Sequence, residues 1–510
     1  MATSTSRTVI SKPLKIFRNL EKIRQRRLEG REKWLQKYGI PKGSPLIISC
    51  RNKFLDHYKD QRYPNKMPLI LASSNWDTKK HVGDYFNIAA YDKNPSLFDS
   101  RMVGGGFDEF GLADPVINAI KDMNFTYPTA VQREAFPAVL RGQNCLIGAE
   151  TGSGKTIAFL APLITRLLSA GHSSPSTSTT APTALVIAPS IELAYQIHEV
   201  LTKLSVYGNV KSRLCLPTQR LTSLSEDSVD IVVGIPSSLQ RCRDVDILSL
   251  ERLQHLVVDE ADHLIDSGYG SALLNLTKDF RFQDFASQEE PAAGVQFVLS
   301  TATIPDGLYT LLEGICNPAS FCEIRTPSLH RILPHIRQKF LRVSSQTKSE
   351  ELLRVLRKDA KARKRTLVFA NTVKNSQYCE EFLVNSGILA KALYPGLSLA
   401  VRNSLFRDFA DGKFSVLVAT DLASRGLDTV QVHHVINYDF PSSVSSFIHR
   451  VGRVGRVGSV GAYATHLVLK RDAPLVQIVE QTVRKNTAFR AKEIENAQDD
   501  DVPENADKIG

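Results

Sequence analysis

The chain has 510 residues, of which 42% are hydrophobic and 8% aromatic, so it can form the cores of two to four globular domains and is not a wholly disordered polymer. Its formal net charge is +11, but residues 1–66 hold 17 basic and 5 acidic side chains, while the rest holds 47 basic and 48 acidic ones. No run of about 20 apolar residues predicts membrane insertion, and the seven cysteines include no C-x-x-C pair, which favours a reducing compartment and no structural zinc.

The N-terminal segment is predicted to begin with a basic amphipathic helix. Its first 20 residues include Arg7, Lys12, Lys15 and Arg18, several Ser and Thr, and no acidic residue. This composition is typical of an organellar transit peptide, and the apolar core of a secretory signal is missing. The alternative is a solvated basic arm that contacts nucleic acid, and one segment can serve both purposes. Residues 1–100 are therefore assigned to a basic N-terminal extension.

Short apolar runs alternate with helical patterns in two successive parts of the chain. Continuous runs of Val, Ile and Leu, separated by segments with the 3.6-residue period of a helix, are typical of buried parallel strands. The strands are predicted at 144–148, 184–188, 230–233, 256–258 and 295–299 in the first part, and at 366–370, 415–419, 432–437 and 462–468 in the second. The fold class is therefore α/β, with two tandem parallel-sheet domains that follow the N-terminal extension.

The domain boundaries follow from composition. The first α/β domain is predicted at 101–325 and the second at 336–485. Residues 326–335, which include Pro327 and Pro334, are the expected linker. The last segment, 486–510, contains three consecutive Asp residues and is predicted to be an acidic disordered tail.

A phosphate-binding loop is predicted directly after the strand at 144–148. Small residues there let successive backbone N–H groups surround phosphate oxygens at the N-terminus of the next helix. A lysine at the end of the loop reaches the terminal phosphates, and the hydroxyl after it can hold Mg²⁺. The loop consists of Ala149, Glu150, Thr151, Gly152, Ser153, Gly154, Lys155 and Thr156, with alanine in place of the usual first glycine. A glycine turn without a ligand, the competing interpretation, does not account for Gly-Lys-Thr at a strand-to-helix junction.

The strand at 256–258 ends in acidic residues, which form the second half of the predicted site. They lie at the carboxyl edge of the sheet, where α/β proteins bind ligands. Asp259 is expected to hold Mg²⁺, directly or through water, and Glu260 to orient and deprotonate the water that attacks a γ-phosphate. Alone, these acids could be a charge cluster at a helix N-terminus. The phosphate loop earlier in the chain favours the catalytic interpretation.

The string Asp259-Glu260-Ala261-Asp262, together with the phosphate loop, resembles the DEAD-box family of ATP-dependent RNA helicases. The resemblance extends from Phe107 to about Leu475. It implies two RecA-like domains that bind ATP and Mg²⁺ and act on RNA as an RNA-dependent ATPase.

Residues 124–132 resemble the adenine-reading Q motif of that family. The resemblance implies ATP contacts from Phe125 and Gln132, with Phe107 as the isolated upstream aromatic. A glutamine amide offers both a donor and an acceptor to a purine edge, and an aromatic ring can stack on it. This motif therefore predicts selection of ATP over GTP.

Residues 419–428 and 449–456 resemble motifs V and VI of the second domain. The resemblance implies that Arg453 and Arg456 stabilise charge on the transferring γ-phosphoryl group and that Asp428 accepts from the ribose hydroxyls. Arginines between glycines could otherwise form a basic loop that contacts RNA. The residues implied to couple the two domains are Asp262, Thr301, Thr303 and His449.

The RNA-facing motifs depart from the family pattern in several places. The resemblance implies RNA contacts at Pro189, Glu192, Arg402, Thr420 and Arg425. However, Ile191 replaces an arginine, serines at 237–238 replace Gly-Arg, and Leu399 replaces a glutamine. We hypothesise that ATP turnover is preserved while the grip on RNA is altered. The basic segment before Lys66 would supply part of the lost phosphate attraction.

Residues 329–336 and 453–459 resemble the mitochondrial branch of the family, whose members serve mitoribosome assembly or mitochondrial RNA handling. The expected compartment is the mitochondrion, with the nucleus or nucleolus as the alternative. The enzyme is expected to be a monomer. Its expected partners are RNA, most of all rRNA, and pre-ribosomal particles. An ATP-gated RNA clamp or assembly scaffold with little unwinding is the alternative function. A P-loop kinase or GTPase is disfavoured because Gln132 and the second-domain arginines would then have no role.

Overall fold

The computed structural model describes residues 46–57, 70–90, 105–171, 181–217, 229–266, 268–283, 294–421, 431–456 and 461–495. Within these ranges two α/β units follow one another, each built on a central sheet with helices on both faces. Every strand predicted from an apolar run is present, and its ends lie within two residues of the prediction. The local sequence signal was strong because each of these strands is buried on both faces.

The first described strands are β1 (Leu46–Cys50) and β2 (Tyr85–Ala90), and seven further strands form the parallel sheet of the first unit. These are β3 (Asn144–Gly148), β4 (Ala184–Ile187), β5 (Ser212–Cys215), β6 (Ile231–Gly234), β7 (His255–Val258), β8 (Gln296–Thr301) and β9 (Phe321–Arg325). They lie in the order β5-β6-β4-β7-β8-β3-β9, so the ends of β3, β7 and β8 are close together at one edge.

The helices of the first unit cover its sheet on two sides. One face carries α1 (Asp114–Asp122), α2 (Ala130–Leu140), α3 (Lys155–Ser169) and α4 (Ile191–Leu204). The other carries α5 (Pro236–Asp244), α6 (Ala261–Asp266), α7 (Gly270–Thr277) and α8 (Asp306–Glu313). Each face buries its own apolar cluster, as a doubly covered parallel sheet requires.

The second unit has an eight-stranded sheet in the order β1-β2-β10-β15-β14-β11-β13-β12. Its own strands are β10 (Arg337–Arg342), β11 (Thr366–Phe369), β12 (Ala390–Leu393), β13 (Val416–Ala419), β14 (His434–Asn437) and β15 (Tyr463–Val468). Its helices are α9 (Lys348–Lys361), α10 (Val373–Asn385), α11 (Leu399–Ala410), α12 (Val444–Val451), α13 (Ala473–Lys485) and α14 (Ala491–Glu495). Among the helices of the described ranges, none is long and apolar enough to cross a bilayer.

Part of the predicted N-terminal extension belongs to the second unit. Strand β2 pairs antiparallel with β10, and β1 pairs antiparallel with β2, so both extend the edge of that sheet. Phe86 of β2 stacks on Phe340 of β10 with ring centroids 4.6 Å apart. The buried carboxylate of Glu480 in α13 accepts hydrogen bonds from the backbone N–H groups of Ala72 and Ser73 at 2.8 and 3.0 Å. Residues 46–57 and 70–90 are therefore structural parts of the second unit, whereas residues 1–45 lie outside the described residues.

The chain beyond α13 also differs from the prediction of a disordered tail that starts at residue 486. Phe489 and Ile494 are 2% and 3% exposed, and Phe489 packs edge-on against Phe447 of α12 with centroids 6.5 Å apart. Helix α14 lies between α12 of the second unit and α8 of the first. Apolar burial keeps this segment in place although its composition is polar. The three consecutive Asp residues lie outside the described residues.

Candidate active site and nucleic-acid interface

The phosphate loop connects β3 to α3, and its glycines adopt backbone conformations that other residues avoid. Gly152 has φ +78° and Gly154 has φ +91°, both in the left-handed region. The ammonium of Lys155, the first residue of α3, donates to the carbonyl oxygens of Ala149 and Glu150 at 2.6 and 3.0 Å. Burial lowers the pKa of this lysine, and neighbouring carboxylates oppose that effect. The loop thus presents a half-buried ammonium and a helix N-terminus at one place, as a phosphate site requires.

The acidic string follows β7 and begins α6. Burial, followed by the charge of Glu260, raises the pKa of Asp259 to about 6. The Asp259 carboxylate accepts from the backbone N–H of Glu260 at 3.0 Å, and Glu260 itself has φ +47°, a left-handed conformation that concentrates at functional sites. The second carboxylate oxygen of Glu260 is buried and has no hydrogen-bond partner among the described residues. Such a group suits a general base whose partner is a reacting water.

The last acid of the string, Asp262, is bonded from both units. Its Oδ2 accepts from the N–H and the hydroxyl of Thr303 at 2.9 and 2.6 Å, and it lies 3.0 Å from Nε2 of His449 on α12. The Thr303 hydroxyl also lies 3.4 Å from that of Ser445, and the hydroxyl of Thr301 donates to the Thr303 carbonyl at 2.5 Å. Burial alone would raise the pKa of Asp262, but the charge of His449 and these hydrogen bonds hold it below its usual range. The predicted coupling residues therefore meet in one buried cluster.

Two of the three arginines of motif VI, Arg453 and Arg456, lie against the acidic string and the phosphate loop of the first unit. Arg453 Nη2 is 3.5 Å from Glu260 Oε1. A Cβ added to Gly152 would lie 2.9 Å from Cγ of Arg456, and one added to Gly452 would lie 1.5 Å from a threonine hydroxyl oxygen of the phosphate loop. The second unit thus covers the phosphate loop. The approach is so close that one of the two residues in each contact is a glycine, Gly152 in the first unit and Gly452 in the second.

The Q-motif residues are placed differently from one another. Gln132, 4% exposed, accepts from the N–H of Thr129 at 2.9 Å and donates to the carbonyl of Gly154 at 3.1 Å, so it ties α2 to the phosphate loop. Its amide has capacity for further bonds to a purine. Phe125 is 41% exposed, whereas Phe107 is buried with its ring centroid 6.2 Å from that of Phe136. Phe107 is therefore packed in the core, and its ATP contact stays a prediction.

Two of the residues predicted to contact RNA bind each other across the cleft between the two units. Arg402 Nη1 of α11 lies 2.6 Å from Glu192 Oε1 at the start of α4, and both side chains are largely buried. Burial raises the pKa of Glu192, and the charge of Arg402 opposes that rise. The sequence pattern did not predict this pair, since nothing in the spacing of the two residues indicates a contact.

The remaining predicted RNA contacts are divided between described and undescribed parts of the chain. Pro189 is buried just before α4, and Thr420 is buried after β13 with a hydroxyl that has no hydrogen-bond partner among the described residues. Arg425, and with it the ribose contact predicted for Asp428, lies outside the described residues. Ile191 is the first residue of α4, so the missing cation would have stood at that helix N-terminus.

A polar network that sequence reasoning missed supports motif VI from within the second unit. Arg450, 2% exposed, donates to both carboxylate oxygens of Asp421 at 2.6 Å, to Oδ1 of Asn371 at 2.6 Å and to the carbonyl of Asp439 at 2.7 Å. Its guanidinium lies 5.2 Å from the centroid of the Phe369 ring. The network joins the carboxyl ends of three strands to α12, which carries His449. Its only sequence signal was the position of Arg450 inside motif VI.

Comparisons with known families and proteins agree with this geometry. The model of DEAD/DEAH box helicases matches residues 129–311, and the model of the helicase conserved C-terminal domain matches residues 347–458. The fold and the site define a DEAD-box ATP-dependent RNA helicase, and the chain belongs to that family. The enzyme class predicted from the sequence, an RNA-dependent ATPase, is thereby confirmed.

Two curated relatives match over nearly the whole length. The mouse protein named probable ATP-dependent RNA helicase DDX28 is 32% identical over 500 residues, which cover 93% of this chain and 91% of the relative. The human protein of the same name is also 32% identical over 500 residues, with 94% and 91% covered. Such coverage includes the N-terminal region before the two family models.

Solved structures show the same fold. The helicase Mss116 bound to single-stranded RNA and AMP-PNP has a TM-score of 0.64 at 22% identity, covering 75% of this chain and 77% of that one. The Dbp5 protein of S. cerevisiae bound to RNA and ADP BeF3 has a TM-score of 0.60 at 23% identity, covering 75% of this chain and all of that one. The two α/β units are therefore RecA-like domains, as the sequence predicted.

Proposed function

We propose that this enzyme closes its two RecA-like domains on a single strand or short duplex of RNA and locally unwinds or remodels RNA or an RNA–protein particle. The observation that carries the proposal is the meeting of groups from both domains at one site, Glu260 with Arg453 and Asp262 with His449. Because neither domain holds the complete set, hydrolysis depends on closure. ATP turnover then controls when RNA is held.

The catalytic roles follow from the environment of each group. Glu260 orients and deprotonates the attacking water, since it has a buried carboxylate oxygen without a protein partner. Lys155, Arg453 and Arg456 stabilise the negative charge of the transferring phosphoryl group, because Lys155 and Arg456 lie at the phosphate loop and Arg453 lies beside Glu260.

The oxygen donors beside the phosphate loop suit Mg²⁺, which prefers carboxylate and hydroxyl oxygens. Asp259 and Thr156 are the residues that would hold the ion. A nearby cation favours the ionised form of Asp259, whose pKa is raised by burial to about 6. When bound, Mg²⁺ neutralises charge on the phosphates.

RNA recognition depends on shape and on sugar-phosphate contacts rather than on base sequence. Arg402 of the second domain is paired with Glu192 of the first, and Ile191 beside Glu192 offers no cation, so these positions provide little positive charge to RNA. Part of the phosphate attraction is assigned to the basic segment at the N-terminus. Thr420 and Arg425 are proposed as RNA contacts of the second domain.

The biological setting is proposed from sequence features. The first 20 residues have the composition of a transit peptide, and 329–336 and 453–459 resemble the mitochondrial branch of the family. We infer a monomeric enzyme of mitochondrial RNA metabolism or mitoribosome assembly, with rRNA and pre-ribosomal particles as partners. Import with isolated mitochondria, followed by crosslinking in cells and sequencing of the attached RNA, tests both points. Nucleolar localisation with nuclear pre-rRNA attached would contradict them.

The activity itself is tested by measuring RNA-stimulated ATPase and duplex separation side by side. Wild type is expected to do both, and Glu260→Gln is expected to lose both while it still binds RNA with a non-hydrolysable ATP analogue. Turnover without separation of a short duplex would support the alternative, an ATP-gated clamp or scaffold. The pairing of Arg402 with Glu192 leaves this arginine less available to RNA and favours neither activity over the other.

A further inference from the structure

The linker between the two domains contacts the phosphate loop directly. The N–H of Thr326 donates to the carbonyl of Gly148 at 3.1 Å. The hydroxyls of Thr326 and Ser328 both donate to the same carboxylate oxygen of Glu150, at 2.7 and 2.8 Å. Glu150 is the second residue of the loop, so these bonds attach the loop to the chain that leads into the second domain.

His330 connects the same turn to Thr301-Ala302-Thr303, the string that resembles motif III of the family. Its Nε2 accepts a hydrogen bond from the backbone N–H of Ile304 at 2.8 Å. Burial lowers the pKa of His330 to about 4, so the ring is neutral and able to accept. Its backbone has φ +59°, and its carbonyl accepts from the N–H of Phe489 at 2.8 Å. A non-glycine residue in this region is held there by its surroundings, here by bonds on two sides.

Ile304 is the residue next to Thr303, which bonds Asp262 in the cluster shared by the two domains. The side chains of Ile304 and Leu329 both reach Gly148, where an added Cβ would lie 2.9 and 3.0 Å from their methyl groups. The linker turn, defined as residues 326–330, therefore touches the strand before the phosphate loop, the loop itself and the end of motif III.

We propose that the linker turn is a positioning element of the ATP site, in which His330 sets motif III through Ile304 and the hydroxyls of Thr326 and Ser328 set the phosphate loop through Glu150. The proposal rests on the proposed function, since it concerns the same closed site. The turn belongs to the connection that must move when the domains separate. Its bonds thus couple the path of the linker to the geometry of both ATP motifs.

His330 is tested by substitutions that differ in acceptor capacity. In His330→Met the Ile304 N–H loses its acceptor, whereas His330→Gln offers an amide oxygen from an unbranched side chain of similar length. We expect kcat of the RNA-stimulated ATPase to fall about tenfold in His330→Met, with KM for ATP within twofold, because an unpaired buried N–H disturbs the closed arrangement more than ATP binding. His330→Gln should recover most of kcat. The matched control is His433→Met, because His433 is an exposed histidine that lies just before β14, far along the chain from the linker turn.

The hydroxyls are expected to affect the other kinetic parameter. Thr326→Val combined with Ser328→Ala removes both donors to Glu150 and should raise KM for ATP about fivefold with a smaller change in kcat, since the phosphate loop is the ATP-binding element. Thr326→Ser with Ser328 intact retains both donors and should behave as wild type. If His330→Met and the double hydroxyl variant lowered kcat equally and raised KM equally, the cause would be general destabilisation. That result would overturn the division of roles.

Hydrogen exchange provides a readout that does not depend on catalysis. The amide of Ile304 should exchange faster in His330→Met than in wild type, and its protection should return in His330→Gln. If the wild-type protein had no ATPase activity, the proposed function would be contradicted. Hydrogen exchange at Ile304 would still test the role of the linker turn. An active wild type, with unchanged kinetics and unchanged exchange at Ile304 in His330→Met, would overturn the inference.

Discussion

The two sides of the cleft between the domains are built differently. On the ATP-facing side three pairs join the domains, namely Glu260 with Arg453, Asp262 with His449 and Thr303 with Ser445. On the RNA-facing side the described residues provide one ion pair, Glu192 with Arg402. The cation that the family carries at the start of α4 is replaced by Ile191.

We propose that this difference determines which ligand controls closure. Buried charges are costly to desolvate unless their partners are in place, so the ATP-facing side is stable only when both domains and their ligand are together. On the RNA-facing side Arg402 is paired with Glu192 and Ile191 offers no cation, so we expect RNA to add less to closure. ATP is therefore expected to be the stronger of the two ligands in closing this enzyme, and RNA the weaker.

The largest effect is expected from Arg453→Ala. This arginine lies 3.5 Å from Glu260, and removing it takes positive charge from the transferring phosphoryl group. We expect kcat for ATP hydrolysis to fall about a thousandfold, the low end for loss of such an arginine. Steady-state ATPase assays with saturating RNA measure it. The control is Arg471→Ala, a side chain 72% exposed, and a loss below tenfold in Arg453→Ala would argue that the ATP-facing contacts are not catalytic.

The next effect concerns the buried cluster around Asp262. Asp262→Asn keeps an acceptor but removes the charge that pairs with His449, and breaking a buried pair costs about 3–5 kcal/mol. RNA-stimulated ATPase should fall roughly a hundredfold while binding of ATP to the first domain changes little. A double-mutant cycle with His449→Gln should show strong coupling. If the losses in the two single variants simply added in the double variant, Asp262 and His449 would not be coupled. The pair would then not count among the contacts that join the domains.

The same carboxylate predicts a pH dependence of stability. Because the pKa of Asp262 is lower in the folded protein than the ordinary value of about 4, its stabilising effect is fully present above that pH and is lost as pH falls towards the folded value. Thermal unfolding of wild type and Asp262→Asn should therefore differ most near neutral pH. The difference should shrink below about pH 4, because the carboxyl of the unfolded wild-type chain then takes up a proton while that of the folded protein is still ionised.

A smaller effect is expected from deletion of residues 1–45, which leaves β1 and the second sheet intact. This segment carries 12 basic and 3 acidic side chains. If it supplies phosphate attraction that the cleft lacks, RNA affinity at low salt should fall about tenfold and the slope of log K against log salt should flatten. A variant with the same segment but with its basic residues replaced by Gln is the control for length. An unchanged slope would assign RNA binding to the cleft alone.

The ion pair on the RNA-facing side should contribute less again. Arg402→Ala or Glu192→Ala is expected to weaken ATP-dependent RNA binding about fivefold, and the double variant should recover part of the loss because no buried charge is left alone. RNA binding with a non-hydrolysable ATP analogue measures the cycle. If the Arg402 variant alone loses affinity and the Glu192 variant gains it, Arg402 binds RNA as the sequence predicted.

The strands and the ATP motifs could be predicted because their signals are local. The phosphate loop and the acidic string each occupy a few adjacent residues, and their strands are continuous apolar runs. The attachment of β1 and β2 could not be predicted, since it depends on the pairing of β2 with β10, a strand far away in the chain. Burial of Phe107, which the sequence assigned to ATP, likewise depends on tertiary packing against Phe136. The same holds for the pair of Glu192 with Arg402.

The smallest effect is expected from Ile191→Arg, a substitution that would make the two sides of the cleft more alike. Ile191→Arg places a cation where the family carries one, at the first residue of α4 and next to Glu192. A positive charge at a helix N-terminus costs about 0.3–1 kcal/mol, and the half-buried isoleucine loses some packing, so the free energy of unfolding should drop slightly. RNA affinity should nevertheless rise about threefold, and the salt slope should steepen by about one phosphate contact. Ile191→Met, which changes shape without charge, is the control. If Ile191→Arg binds RNA no better than Ile191→Met, the weak grip of this side has a cause other than the missing cation.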